Sequence, residues 1–201
     1  MLAHALLCHL EEIQAMHMAR KLDQFEWTLE ELHRLPDDGN KYELVRGELF
    51  VTPAPSPEHE RIAVVLTEIL IDYVRQQKLG RVFHPRAVVR FRGSEVEPDI
   101  MVREWTESPV GWSEAPVPLL VVEILSDVTR RRDPGPKREF YLDVGVPEYW
   151  IVDGDARTIR VIHSGVDDVV AADALTWSPR GASEPVVIDV RGLFREALGG
   201  G

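Results

Sequence analysis

LLVVEILSDVTRRRDPGPKREFYLDVGVPEYWIVD, residues 119–153, is the stretch whose reading decides the fold. It opens on Leu119, Leu120, Val121 and Val122, followed by Glu123 and then Ile124 and Leu125. An apolar run of this length, rich in β-branched residues, reads as a strand buried on both faces. Pro134-Gly135-Pro136 then introduce a helix that runs to Val144 and is stopped by Gly145 and Pro147. Tyr149, Trp150, Ile151 and Val152 form a second buried strand. Strand, helix and strand at this spacing predict a parallel pair joined by a right-handed crossover.

Glu123 is the exception inside the first strand. An unpaired buried charge costs on the order of several kcal/mol, so something must pair with it. Upstream, Glu97-Pro98-Asp99-Ile100-Met101-Val102 predicts another short strand that also carries an acid. If the two strands are neighbours, Asp99 and Glu123 face one space. Close carboxylates raise each other's pKa unless a cation lies between them. Mg²⁺ or Mn²⁺ meets that need, with oxygen ligands and open positions for water and phosphate.

Lys137 opens the helical pattern at the carboxyl end of the Glu123 strand, where open α/β sheets hold their ligands. There it would orient an attacking water or neutralise charge on a phosphoryl group. Arg130, Arg131 and Arg132, with Arg138, are the natural place for phosphates to dock. Ser126 and Thr129 would add neutral hydrogen bonds. Glu48 and His59 are further candidates, as a metal ligand or an acid–base group. A plainer alternative pairs Glu123 with an arginine and leaves Asp99 in a turn prepared by Pro98. Lone helical lysines and surface arginine runs are, by themselves, ordinary solvated faces.

Composition bounds these ideas. The chain has 201 residues, 44% hydrophobic and 28% charged, which is enough for one globular domain with a real core. Its net charge of −11 argues against a protein that simply coats phosphate, but allows an enzyme with a local basic patch. The single cysteine, Cys8, excludes an internal disulfide and a Cys-rich zinc site, and fits a reducing cytoplasm. No apolar run approaches the roughly 18–20 residues of a membrane span. Walker, GxGxxG and GxSxG motifs are missing.

Residues 1–26 read as an N-terminal extension, helical or the product of a start codon placed too early. Residues 27–201 form the domain. A capping box, Thr28 with Glu31, starts a short helix, and strands at 42–45 and 48–51 flank the Arg46-Gly47 turn. Ser56 and Pro57 begin a long amphipathic helix that Gly80 closes. Residues 82–91 and 96–102 read as two strands, and 104–118 as a surface excursion. Residues 158–163 predict an antiparallel strand, followed by short strands at 169–171 and 186–190 and a last helix near Leu193. The whole is one α/β domain with a mixed sheet.

Three blocks now carry a resemblance: YELVRGELFVTPAPSPEHERI, EPDIMV, and VVEILSDVTRRRDPGPKREFYLDVGVPEYWIVD. In that order they resemble a widespread bacterial family of restriction-endonuclease-like proteins in the PD-(D/E)xK nuclease superfamily, over about residues 27–163. The resemblance implies a mixed central sheet flanked by helices and metal-dependent phosphodiester hydrolysis. Pro98-Asp99 matches the first acid of the superfamily pattern and Glu123 the second. The pattern's lysine falls on Leu125 here, and the following helix supplies Lys137 instead. A further acid from the N-terminal part, common in such nucleases, points to Glu48.

The resulting expectation is a Mg²⁺- or Mn²⁺-dependent endonuclease cutting DNA by water attack, with Asp99, Glu123 and Lys137 as its catalytic residues. A homodimer would suit a duplex, which presents two strands. The rival expectation is a catalytically silent binding or regulatory protein on the same fold, favoured by Leu125 and the acidic charge. A hydrolase of another phosphoester is the third.

Overall fold

The computed structural model describes residues 26–106, 110–126 and 135–200. In chain order the elements are α1 (Leu29–Leu32), β1 (Lys41–Val45), β2 (Glu48–Thr52), α2 (Pro57–Gln77), β3 (Gly80–Phe83), β4 (Val89–Phe91), β5 (Ser94–Val96), β6 (Ile100–Glu104) and β7 (Leu120–Ile124). They continue with α3 (Gly135–Val144), β8 (Tyr149–Asp153), β9 (Thr158–Ile162), β10 (Val169–Ala171), β11 (Ala174–Trp177), β12 (Val186–Asp189) and α4 (Val190–Leu198).

The run that opens the decisive stretch becomes β7, buried at every position. It lies inside a sheet ordered β10-β9-β8-β7-β6-β3. β7 and β8 are parallel, as the strand–helix–strand reading requires, while β6 and β9 flank them antiparallel. Parity then sorts the side chains. Leu120, Val122 and Ile124 join Ile100, Val102, Trp150 and Val152 in one core, together with buried residues of α2 and α4. Val121, Met101, Tyr149 and Ile151 form a second core on the opposite face, with Phe140 and Tyr141 of α3 and Val89 and Val96 of a smaller sheet. That sheet runs β2-β1-β5-β4. Asp99 and Glu123 share the parity of Met101 and Val121, so both acids point between the two sheets.

Three expectations are corrected. Residues 82–91 are not one strand: β3 ends at Phe83 as the edge of the large sheet, and β4 belongs to the small one. Between them Pro85 has no N–H to give a ladder. The 96–102 segment divides in the same way, β5 in the small sheet and β6 in the large, with Pro98 between. Asp99 therefore stands at the crossing just ahead of β6. Finally, Lys78 at φ 55°, not Gly80, caps α2. Gly80 instead opens β3, where a Cβ would lie 1.9 Å from the Arg103 carbonyl oxygen, so only glycine allows β6 to come that close. Strand β11 went unforeseen.

Ser56 does cap α2, its hydroxyl accepting from the His59 amide at 3.2 Å, with Pro57 at the first helical position. This start fixes His59 on the first turn, facing the crossing. The hairpin β1–β2 is tied to α3 by Arg46, which pairs with Glu139 and Asp143. Among the described residues, no helix is long and apolar enough to cross a membrane.

Candidate active site

Glu123 and Asp99 meet because of register. Ile100 faces Val122 across β6 and β7, so one step further along the same antiparallel ladder puts Asp99 opposite Glu123. Both are buried, 5% and 8% exposed. Asp99 Oδ2 accepts from the Ile124 amide at 2.8 Å and lies 3.1 Å from His59 Nε2, while Oδ1 accepts from Lys41 Nζ at 3.0 Å. Lys41 also donates to the Glu97 carbonyl at 3.1 Å.

Glu123 Oε1 accepts from Tyr141 Oη at 2.7 Å and from Lys137 Nζ at 3.0 Å. Lys137 reaches Glu43 Oε1 as well, at 2.9 Å. Glu43 is 1% exposed; its Oε1 also accepts from the Glu97 amide at 2.9 Å, and its Oε2 lies 2.8 Å from Lys137 Nζ as an ion pair. Three carboxylates, two ammoniums and one imidazole thus form one connected cluster. A cleft of about 740 Å³ opens onto Lys41, His59, Asp99, Glu123 and Lys137, with Arg61, Arg86 and Arg157 on its walls.

Electrostatics follow from this packing. Burial alone would raise the Asp99 pKa, but the charge of Lys41 and the hydrogen bond and charge of His59 hold it well below the usual carboxylate range. Burial wins at Glu123 and lifts its pKa, against the opposing pull of Lys137 and Lys41. Burial would lower Lys137, yet Glu123 and Glu43 push it above its ordinary value. Lys41 is raised despite burial by Asp99, Glu43 and Glu123.

His59 is the imidazole of the cluster. Burial works to lower its pKa, but the hydrogen bond and charge of Asp99 raise it above the ordinary 6.5. A raised folded pKa gives stability that is fully present below the unfolded pKa and is lost as pH rises through the folded one. In metal-free protein, His59→Asn should therefore destabilise more at about pH 6 than at about pH 9. Urea denaturation at the two pH values checks this, and an equal or larger loss at the higher pH would contradict it.

The residues read from the sequence are placed as follows. Asp99, Glu123, Lys137 and His59 converge. Glu48 does not: it shares the inward face of the hairpin, opposite Val45, but stands exposed at the turn end of the edge strand β2. Glu43, two positions before Val45 on the inner strand, reaches the cluster instead through Lys137. Arg138 is held by Asp168 at 2.8 Å and does not line the cleft. Arg130, Arg131, Arg132 and Thr129 lie outside the described residues, and Ser126 lines the cleft. Lys41, Glu43 and Tyr141 were missed. The signal for two of them was present, since Lys41-x-Glu43 on a strand puts both side chains on one face.

Among the described residues, no group of three or more His, Cys, Asp or Glu side chains is arranged to hold a metal ion. The reason is physical: Lys41 and Lys137 stand between the acids and satisfy them. The donor set still fits a hard divalent cation. Mg²⁺ is commonly held by only one or two carboxylates and keeps several waters, and Asp99 and Glu123 supply that pair at an open cleft.

No curated protein matches the chain. Among solved structures it is similar to the crystal structure of a "putative nuclease belonging to DUF820" from Anabaena variabilis, at 25% identity and a TM-score of 0.70, covering 86% of this chain and 99% of that one. Residues 29–187 match the Uma2 family, described as "Putative restriction endonuclease"; that is most of the chain, and the protein belongs to this family.

Proposed function

We propose that the protein is a metal-dependent endonuclease that hydrolyses DNA phosphodiester bonds. The observation that carries this reading is the convergence of Asp99, Glu123 and Lys137 on one open cleft, in a chain of a restriction-endonuclease family. Asp99 and Glu123 would hold Mg²⁺ or Mn²⁺. When bound, such an ion supplies charge stabilisation at a phosphoryl oxygen and a water of lowered pKa.

The chain's own groups have separable tasks. Lys137 balances charge beside Glu123 and orients the attacking water. Tyr141 fixes one oxygen of Glu123 and so aims the other. Asp99 is immobilised by the Ile124 amide and His59, which keeps its charge in place. Arg61, Arg86 and Arg157, interspersed on the cleft walls with Glu58, Glu60 and Asp155, would contact backbone phosphates. Arg130, Arg131 and Arg132, which follow the Glu123 strand closely in sequence, are proposed for the same task. A cytoplasmic homodimer would bring two such sites to a duplex.

One observation favours a second reading, a catalytically silent binding protein: the acids are already neutralised by the chain's own lysines. Relaxation of supercoiled plasmid separates the two. Cutting should require Mg²⁺ or Mn²⁺, stop with a chelator and be lost in Asp99→Asn. Cutting that ignores the chelator would contradict the metal reading, and a failure to cut with either ion would put the silent protein ahead.

A further inference from the structure

The two lysines of the cluster are not equivalent. Lys137 is fixed on the first turn of α3 and serves Glu43 and Glu123 together. Lys41 stands at the first position of β1 and is held by Asp99 Oδ1 and one backbone carbonyl. Asp99 Oδ2 is engaged by the Ile124 amide and His59, so Oδ1 is the oxygen left for a cation, and an ammonium is on it.

Resting on the metal-site reading above, we infer that Lys41 is a resident counter-ion: its ammonium occupies the position at Asp99 Oδ1 that a divalent cation takes, and it withdraws into the cleft when that cation binds. Charge supports this. Three carboxylates already face two ammoniums, and an added divalent ion beside an unmoved Lys41 would set like charges a few ångströms apart in a site with little water to screen them. Geometry supports it too. Lys41 lines the open cleft and has a flexible four-carbon stem at a strand end, so it can leave without disturbing the sheet. Lys137 has no such freedom, because leaving would strand two buried acids at once. Lys41 is on this account a positioning residue that keeps Asp99 paired in metal-free protein and weakens metal affinity.

The test is Mn²⁺ binding to the full chain, read from the spin-resonance signal of free Mn²⁺, with no substrate present. Lys41→Gln removes the charge but can still donate to Asp99, and Lys41→Met removes both. Each should bind Mn²⁺ about tenfold tighter or more, since a competing cation is gone and the acids are less neutralised. Thermal unfolding confirms the fold, and if Lys41→Met does not fold, Lys41→Gln decides. Wild-type binding with equal or weaker binding by folded Lys41→Gln would overturn the inference and leave the metal site standing. Binding by none of the three proteins would overturn both.

Discussion

Glu123→Gln is expected to lower metal-dependent phosphodiester cleavage by on the order of 10²–10³-fold or more, with the fold intact. The amide has the shape of the carboxylate, and its oxygen can still accept from Tyr141 Oη and Lys137 Nζ. Lys137 also keeps its partner Glu43. What disappears is one of the two charges that would hold the ion. A cost to stability of about 1–3 kcal/mol is expected from the rearranged buried hydrogen bonds. Rates with Mg²⁺ or Mn²⁺ should collapse while the thermal transition stays cooperative. A folded variant that cuts at the wild-type rate would sink the assignment of Glu123.

Lys137→Met should have the largest effect on stability, about 3–5 kcal/mol, the range for breaking a buried ion pair from one side. The side chains of Lys137, Glu43 and Glu123 are 16%, 1% and 11% exposed, so solvent screens them little. Without the ammonium, two buried acids face each other with Lys41 as the remaining cation nearby. Adding Glu43→Gln to Lys137→Met should recover part of the loss, because one of the repelling charges goes with it. Urea denaturation of the two single variants and the double variant measures the coupling directly. Additive losses would mean that Lys137 is not the counter-ion of Glu43.

How much of this was legible in the sequence depends on how local each signal was. The β7–α3–β8 unit was readable because three local cues agreed: an apolar run, a Pro/Gly boundary and a second apolar run. Although an arginine for Glu123 and a turn for Asp99 stood as the plainer alternative, Asp99 and Glu123 were readable because a buried strand acid demands a partner. The two-sheet arrangement was not. Residues 82–91 and 96–102 look like two continuous strands, and only tertiary pairing reveals that Pro85 and Pro98 mark crossings between sheets. Glu43 was concealed by its setting, since a strand acid beside Lys41 looks like an exposed edge until β5 pairs beyond it and α3 covers it. Glu48 was preferred because it opens a strand after Gly47 and the resemblance points to an N-terminal acid, but acids beside turns are usually solvated. The same reasoning explains its exposure here. Lys137 was found from its place at the start of the helical pattern just after the acidic strand.

The central claim is that this cluster cuts phosphodiesters with a divalent ion. Its most direct test is conversion of supercoiled plasmid by wild type and Glu123→Gln, purified in the same way, with Mg²⁺ or Mn²⁺. The account predicts nicked or linear product from the wild type alone. Equal conversion by both proteins would contradict it, and so would intact plasmid from a wild type shown to bind the ion.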